Sequence, residues 1–304
     1  MADLRVALGA LTLRNPILAA AGTFGYGAEF ARAVPLDRLG GLITKTLTLA
    51  PRPGNPPPRL VDTPSGMLNS VGLSNVGLDA FLREKLPALG GVDAPVIVSV
   101  LGESVDDIRR LVEPLDRATR VDALELNLSC PNLRGGRGLA AHDPDQTAAL
   151  VAAARAGTRK PLIAKLSPDL PDLTPIAQAA ERAGADALAI ANTFPAMSID
   201  PHTRRSRLGT VTGGLSGPAI RPLAVYRVWY TAPSVRVPII GVGGIVRAED
   251  AVEFLLAGAS AVAVGTATFA DPRAPVRILR GLERYLARHR LPSVAALRGS
   301  LVAA

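Results

Sequence analysis

Eight times along this chain a short apolar run gives way, through a turn, to an Ala-rich or amphipathic stretch. The apolar runs fall at residues 17–21, 41–46, 96–101, 122–128, 161–166, 186–191, 237–242 and 260–265 and read as strands. The stretches at 28–33, 77–86, 104–118, 144–157, 173–183, 218–231, 247–257 and 273–289 read as helices. Strands alternating with helices indicate a parallel sheet, because a parallel return needs a long crossover. The count of eight favours closure into a (β/α)8 TIM barrel, with a doubly wound open sheet as the structural alternative. Ahead of the repeat, residues 5–14 read as a hairpin, with Arg5–Leu8 and Leu11–Leu13 around Gly9. One domain is expected over 1–304, a length that α/β barrels reach as a single unit.

Composition narrows the function classes. Hydrophobic residues make up 48% of the chain, enough for a large core without disordered tracts. A single cysteine excludes an intrachain disulfide and a Cys-rich metal or iron–sulfur site, and fits a reducing, cytoplasmic compartment. Asp3 and Arg5 interrupt any signal-like opening, and no apolar run is long enough to predict a membrane span. The net charge of +8 invites a nucleic-acid reading. The cations are scattered, however, and aromatic residues are few, so neither a basic stripe nor a stacking platform is predicted. Attraction of small anions is the better use of the charge.

Two connections are too long for simple βα loops. Residues 47–76 are rich in Pro and Gly, and residues 192–217 carry Pro195, Pro201 and Gly213-Gly214. Long irregular segments in a compact domain are usually functional, and both would leave the catalytic face of a barrel. Residues 131–143 form a third such loop, whose three glycines would let it act as a lid.

The chemistry gathers around Leu124-Glu125-Leu126-Asn127-Leu128-Ser129-Cys130-Pro131-Asn132. Leucines alternate with polar residues as in a packed strand, and Pro131 stops the ladder. Cys130 is thereby expected at the carboxyl end of a strand between two amides. A lone cysteine is commonly an inert small hydrophobe, but this position favours a catalytic role. The chain has only seven asparagines, none inside a candidate helix. Turn preference accounts for Asn15 and Asn55. Asn69, Asn75, Asn127, Asn132 and Asn192 instead suit a planar ligand displaying C=O and N–H groups. Lys45 and Lys165 sit near strand ends, where an inward lysine needs an anionic or electron-rich partner. Ile239–Gly244 and Val262–Thr266 end strands seven and eight in glycine-rich turns, and Gly213–Gly217 precede a helix. Glycines there let backbone N–H groups approach a phosphate. His142, His202 and His289 lack metal-ligand spacing, and no metal site is expected.

With these residues in hand, the chain resembles the class 1 dihydroorotate dehydrogenases, most nearly the class 1B catalytic subunit. The likeness runs from Asn15-Pro16 to about Pro272 and rests on four runs. They are Asn127–Asn132, Gly66–Leu73, Gly213–Pro218 and Gly241–Gly244. It implies oxidation of (S)-dihydroorotate to orotate in pyrimidine biosynthesis, Cys130 taking the C5 proton and FMN the C6 hydride. It implies substrate contacts at Lys45, Asn69, Ser70, Val71, Gly72, Leu73, Asn127, Asn132, Asn192 and Thr193. FMN contacts are implied at Ala21, Gly22, Lys45, Thr46, Ser99, Asn127, Lys165, Ala191 and Gly217, and at Gly243, Gly244, Gly265 and Thr266. The last four, by this likeness, hold the phosphate. Family members often have Ser and Asn where Ala21 and Ser99 stand here, so a polar FMN contact is shortened or removed at each. The likeness also implies a homodimer joined to an electron-transfer subunit that carries FAD and a [2Fe–2S] cluster and passes electrons to NAD⁺. Alternatives within the likeness are a fumarate-dependent class 1A enzyme and a dihydropyrimidine-dehydrogenase-like flavin barrel. Outside it stand a sugar-phosphate isomerase or lyase, which explains the glycines but leaves the asparagines idle, and a basic interaction module.

Overall fold

A computed structural model describes residues 2–129 and 142–302. Cys130, Asn132 and most of the expected lid fall outside the described residues.

The N-terminal hairpin forms as expected, β1 (Val6–Leu8) pairing with β2 (Leu11–Leu13). The eight expected barrel strands are all present, each trimmed at one or both ends. In chain order they are β3 (Ile17–Ala19), β4 (Gly41–Ile43), β7 (Val96–Val100), β8 (Ala123–Asn127), β9 (Leu162–Lys165), β10 (Ala187–Ile190), β15 (Ile239–Val242) and β16 (Ala261–Val264). They close in the order β10-β15-β16-β3-β4-β7-β8-β9, every pairing parallel, so the open-sheet alternative is overturned. Residues of β3, β4, β7, β9, β10 and β16 are buried throughout, as a sheet covered on one face by helices and filled on the other requires.

In two of the helices a capping side chain marks the start. Helix Val105–Arg117 begins at Ser104, whose side chain accepts from the Asp107 N–H. It buries Ile108, Leu111, Val112 and Leu115, a stripe at helical spacing. Helix Pro144–Gly157 starts the same way, with Asp143 accepting from the N–H groups of Asp145 and Gln146. One expectation fails. Residues 28–33 make only a 3₁₀ turn at Ala28–Phe30, with no side-chain cap at Gly27 and Pro35 closing the segment.

The two long insertions are more ordered than their composition predicted. Residues 47–76 contain the hairpin β5 (Leu60–Thr63) and β6 (Gly66–Asn69). Residues 192–217 contain β11 (Phe194–Ala196), the pair β12 (Ile199–Asp200) and β13 (Arg205–Ser206), and β14 (Gly213–Ser216). The two insertions join as one antiparallel sheet, β11-β14-β6-β5, in which Gly214 stands opposite Asn69. A small second core, Val61, Leu68 and Leu208, lies beneath it.

Candidate active site

The barrel brings the expected residues to one rim. Asn127 and Lys165 end β8 and β9 and are register partners. Lys45 and Thr46 follow β4, Asn192 and Thr193 follow β10, Gly243 and Gly244 follow β15, and Gly265 and Thr266 follow β16. All lie at carboxyl ends of parallel strands, where ligands bind in this fold.

A buried polar chain ties several of them together. Asn127 Nδ2 donates to Thr46 Oγ1 at 3.3 Å, and Thr46 Oγ1 lies 2.9 Å from Ser99 Oγ. Ser99 donates its only proton to Glu125 Oε1 at 2.9 Å, which leaves Thr46 as the donor to Ser99. Lys165 Nζ stands 4.0 Å from the same Glu125 oxygen. Ser99 has no exposed surface, so its hydroxyl is spent behind Thr46 rather than on the rim.

A second bracket holds the chain just before Cys130. Ser129 donates to Asn127 Oδ1 at 2.7 Å and accepts from Asn192 Nδ2. Asn192 Oδ1 in turn accepts from the Thr193 N–H at 2.8 Å. The Thr193 hydroxyl presses against Gly214, where an added Cβ would come within 2.0 Å of it. Asn69 donates to the Gly214 carbonyl at 3.2 Å. Asn69, Thr193, Asn192 and Asn127 are thus joined through contacts rather than merely neighbours by inference.

The rest of the expected substrate loop is held from the insertion side. Ser70 Oγ accepts from Asn55 and from Thr210, and the Val71 carbonyl accepts from the Asn55 N–H. Asn55 therefore braces Ser70–Gly72, beyond the turn preference read from sequence. Asn75, grouped in the sequence with ligand-suited amides, is fully engaged inside the protein. Its side chain bonds Thr48, the Leu73 carbonyl and the Gly77 N–H.

Two lysines meet different surroundings. Lys165 has the anionic partner that an inward lysine was expected to need. Lys45 does not: among the described residues no acid lies within ion-pair distance of it. Burial first, and then the Arg59 charge, hold its ammonium below the usual lysine value. Arg59 is fixed by donating to the carbonyls of Asn55 and Pro53.

The glycine turns converge on the start of helix Arg221–Thr231. A Cβ on Gly243 would meet Ile220 and Ala224, and one on Gly244 would meet Arg221 at 2.6 Å. Gly217 stands immediately before that segment. Gly265 neighbours Ala20 and Thr23, next to Gly22, where an added Cβ would meet nothing within 4 Å. Among the described residues, the N–H groups of Gly22, Gly243, Gly244, Gly265 and Thr266 have no acceptor. Such a set of unspent donors suits a phosphate.

The comparisons with known proteins decide the family. The family model described as dihydroorotate dehydrogenase matches residues 3–286. The chain belongs to the dihydroorotate dehydrogenase family. A relative from Trichlorobacter lovleyi, named "Dihydroorotate dehydrogenase B (NAD(+)), catalytic subunit", is 51% identical over 97% of each chain. A relative of the same name from Geotalea daltonii is 50% identical over 98% of each. Among solved structures, a DHODH from Eimeria tenella, crystallised with ferulenol, superposes with a TM-score of 0.80 at 28% identity. That superposition covers 98% of this chain and 88% of the other. The likeness read from sequence and the closed barrel both stand.

Three participants were missed by reading the sequence. Glu125 and Ser129 were in view inside the central motif, but periodicity treats a polar strand residue as solvent-facing. A charge two positions before Asn127 on a buried strand was the available signal. Arg59, in a proline-rich insertion, gave none.

Proposed function

We propose that this chain is the catalytic subunit of an NAD⁺-linked dihydroorotate dehydrogenase that oxidises (S)-dihydroorotate to orotate with FMN. The observation that carries the reading is Lys45. It is half-buried and set against Arg59, with no acid in ion-pair range among the described residues, so the missing counter-charge is a ligand carboxylate. Dihydroorotate bears one, and its ring amides match the joined amides of Asn69, Asn127 and Asn192.

The residues present fit FMN. Unspent N–H groups at Gly243, Gly244, Gly265 and Thr266, with Gly217 beside them, would hold the phosphate. Gly22, Thr46, Asn127, Lys165 and Ala191 would line the rest. FMN, when bound, supplies the two-electron acceptor for the C6 hydride. Cys130 would remove the C5 proton. Asn127, Ser129 and Asn192 fix the strand end from which Cys130 follows. The inserted sheet presents Asn69 and Ser70–Leu73 to the substrate and excludes water from it.

The names carried by relatives at about half identity support NAD⁺ as final acceptor over the fumarate-dependent and dihydropyrimidine-dehydrogenase-like readings. "Catalytic subunit" in those names supports a separate partner, which would carry FAD and the [2Fe–2S] cluster. A homodimer of this chain would form its core. The test is anaerobic reduction of the bound flavin by dihydroorotate, followed by reoxidation with NAD⁺, with and without the partner, and with fumarate. Reoxidation by NAD⁺ that requires the partner supports the reading; efficient reoxidation by fumarate alone defeats it.

A further inference from the structure

Glu125 is a carboxylate in the interior of the barrel, 1% exposed. Ser99 donates to its Oε1, whereas Oε2 has no hydrogen-bond partner among the described residues. A buried carboxylate with half its acceptor capacity idle is costly, and an apolar residue of similar volume would serve the core better. The group therefore has a use other than packing.

Its neighbour shows what the use is. Lys165, also buried, lies 4.0 Å from Oε1, within ion-pair range but outside hydrogen-bond range. Among the described residues Glu125 is the one acid in ion-pair contact with Lys165. The facing residues of β10, Ala187–Ala189, carry no charge. Among the described residues Lys165 Nζ also has no hydrogen-bond acceptor. The lysine is thus balanced in charge but free in its N–H groups, at the strand end beside Asn127. A fully bonded salt bridge would have consumed those donors.

We infer that Glu125 is a positioning residue for the flavin: through Lys165 it sets the balance between the oxidised and reduced forms of bound FMN. This rests on the FMN reading above. Two-electron reduction places more negative charge on the bound group. A lone Lys165 cation would favour that form strongly, and the Glu125 carboxylate behind it tempers the preference.

The experiment is the flavin midpoint potential of the holoprotein with Glu125→Gln, which keeps shape and removes charge. The expected result is an approximately tenfold shift toward reduced flavin, or ~30 mV upward for a two-electron couple. Glu125→Asp, which restores the charge, is expected to return most of the shift. An unchanged or lowered potential in the Gln variant, or equal shifts in both variants, overturns the inference. A second measurement needs neither variant nor flavin. The chain has only four lysines, so ¹⁵N side-chain NMR of the unsubstituted protein can resolve Lys165. A cationic Lys165 at neutral pH is expected, and a neutral amine overturns the inference. Failure of dihydroorotate to reduce the flavin would count against the function proposed above, while the lysine resonance still decides the Glu125–Lys165 relation.

Discussion

Ser129 donates to Asn127 Oδ1 at 2.7 Å and accepts from Asn192, so one hydroxyl couples two barrel strands immediately before Cys130. Ser129 is 3% exposed, and losing it leaves two amides short of a partner in a dry site. Ser129→Ala is expected to cost about 1–3 kcal/mol of stability. It is also expected to slow flavin reduction about tenfold, the equivalent of ~1.4 kcal/mol in the barrier. Stopped-flow reduction beside a urea melt checks both. A stability loss with unchanged reduction would show that the bracket serves the fold alone.

The same segment marks how far the sequence could be read. The eight barrel strands were legible because each is a short, mainly apolar run, as burial on both faces favours, although leucines alternate with polar residues in β8. The site was legible where side chains are rare and strand-terminal, as with Asn127, Lys165 and Asn192. The sheet formed by the two insertions was not. Its strands carry Gly66, Gly213 and Gly214, poor strand formers, and its central pairing joins residues far apart in the chain. Glu125 was overlooked for a related reason: alternation shows that two faces differ but not that one is a polar network inside the barrel. Residues 28–33 fall short of a helix because the uncapped start at Gly27 and Pro35 at the end outweigh the favourable local composition.

Lys45 gives a pH dependence with a definite sign. Its folded value lies below 10.5, through burial and the Arg59 charge. Between the lowered value and 10.5 the unfolded chain holds a proton that the fold has lost, so this group makes stability rise with pH across that window. Below it the penalty is fully present. A substrate carboxylate reverses the preference by favouring the ammonium. Orotate affinity should therefore be highest at lower pH and fall as pH rises through the lowered value, with proton uptake on binding. Spectral titration of the bound flavin with orotate across pH measures it. Lys45→Met should weaken binding and flatten the alkaline fall. Affinity that stays constant up to the ordinary lysine range would contradict the assignment.

Gly244 has a φ of +71°, and a Cβ there would come within 2.6 Å of Arg221 Cβ and 2.8 Å of its backbone nitrogen. Neither atom can swing away. Gly244→Ala is expected to cost about 1–3 kcal/mol through strain. Because the displaced turn would misdirect N–H donors at the phosphate, FMN affinity should fall by at least about tenfold. Fluorescence titration of the apoprotein with FMN measures the second effect, with riboflavin as the control. Equal weakening of FMN and riboflavin would place the phosphate elsewhere.

Cys130→Ala separates cofactor binding from chemistry. The variant is expected to retain FMN with a normal visible spectrum. Flavin reduction by dihydroorotate should slow by about 10²–10⁴-fold, the usual contribution of a general base. Near-normal reduction would transfer the role to another residue.

The most direct measurement of the central claim is the anaerobic addition of dihydroorotate to the purified, FMN-loaded chain. The account predicts that the flavin absorbance bleaches in a single turnover with one orotate formed per flavin. It further predicts that colour returns with NAD⁺ only when the iron–sulfur and FAD partner is present. A flavin that dihydroorotate leaves oxidised would contradict it.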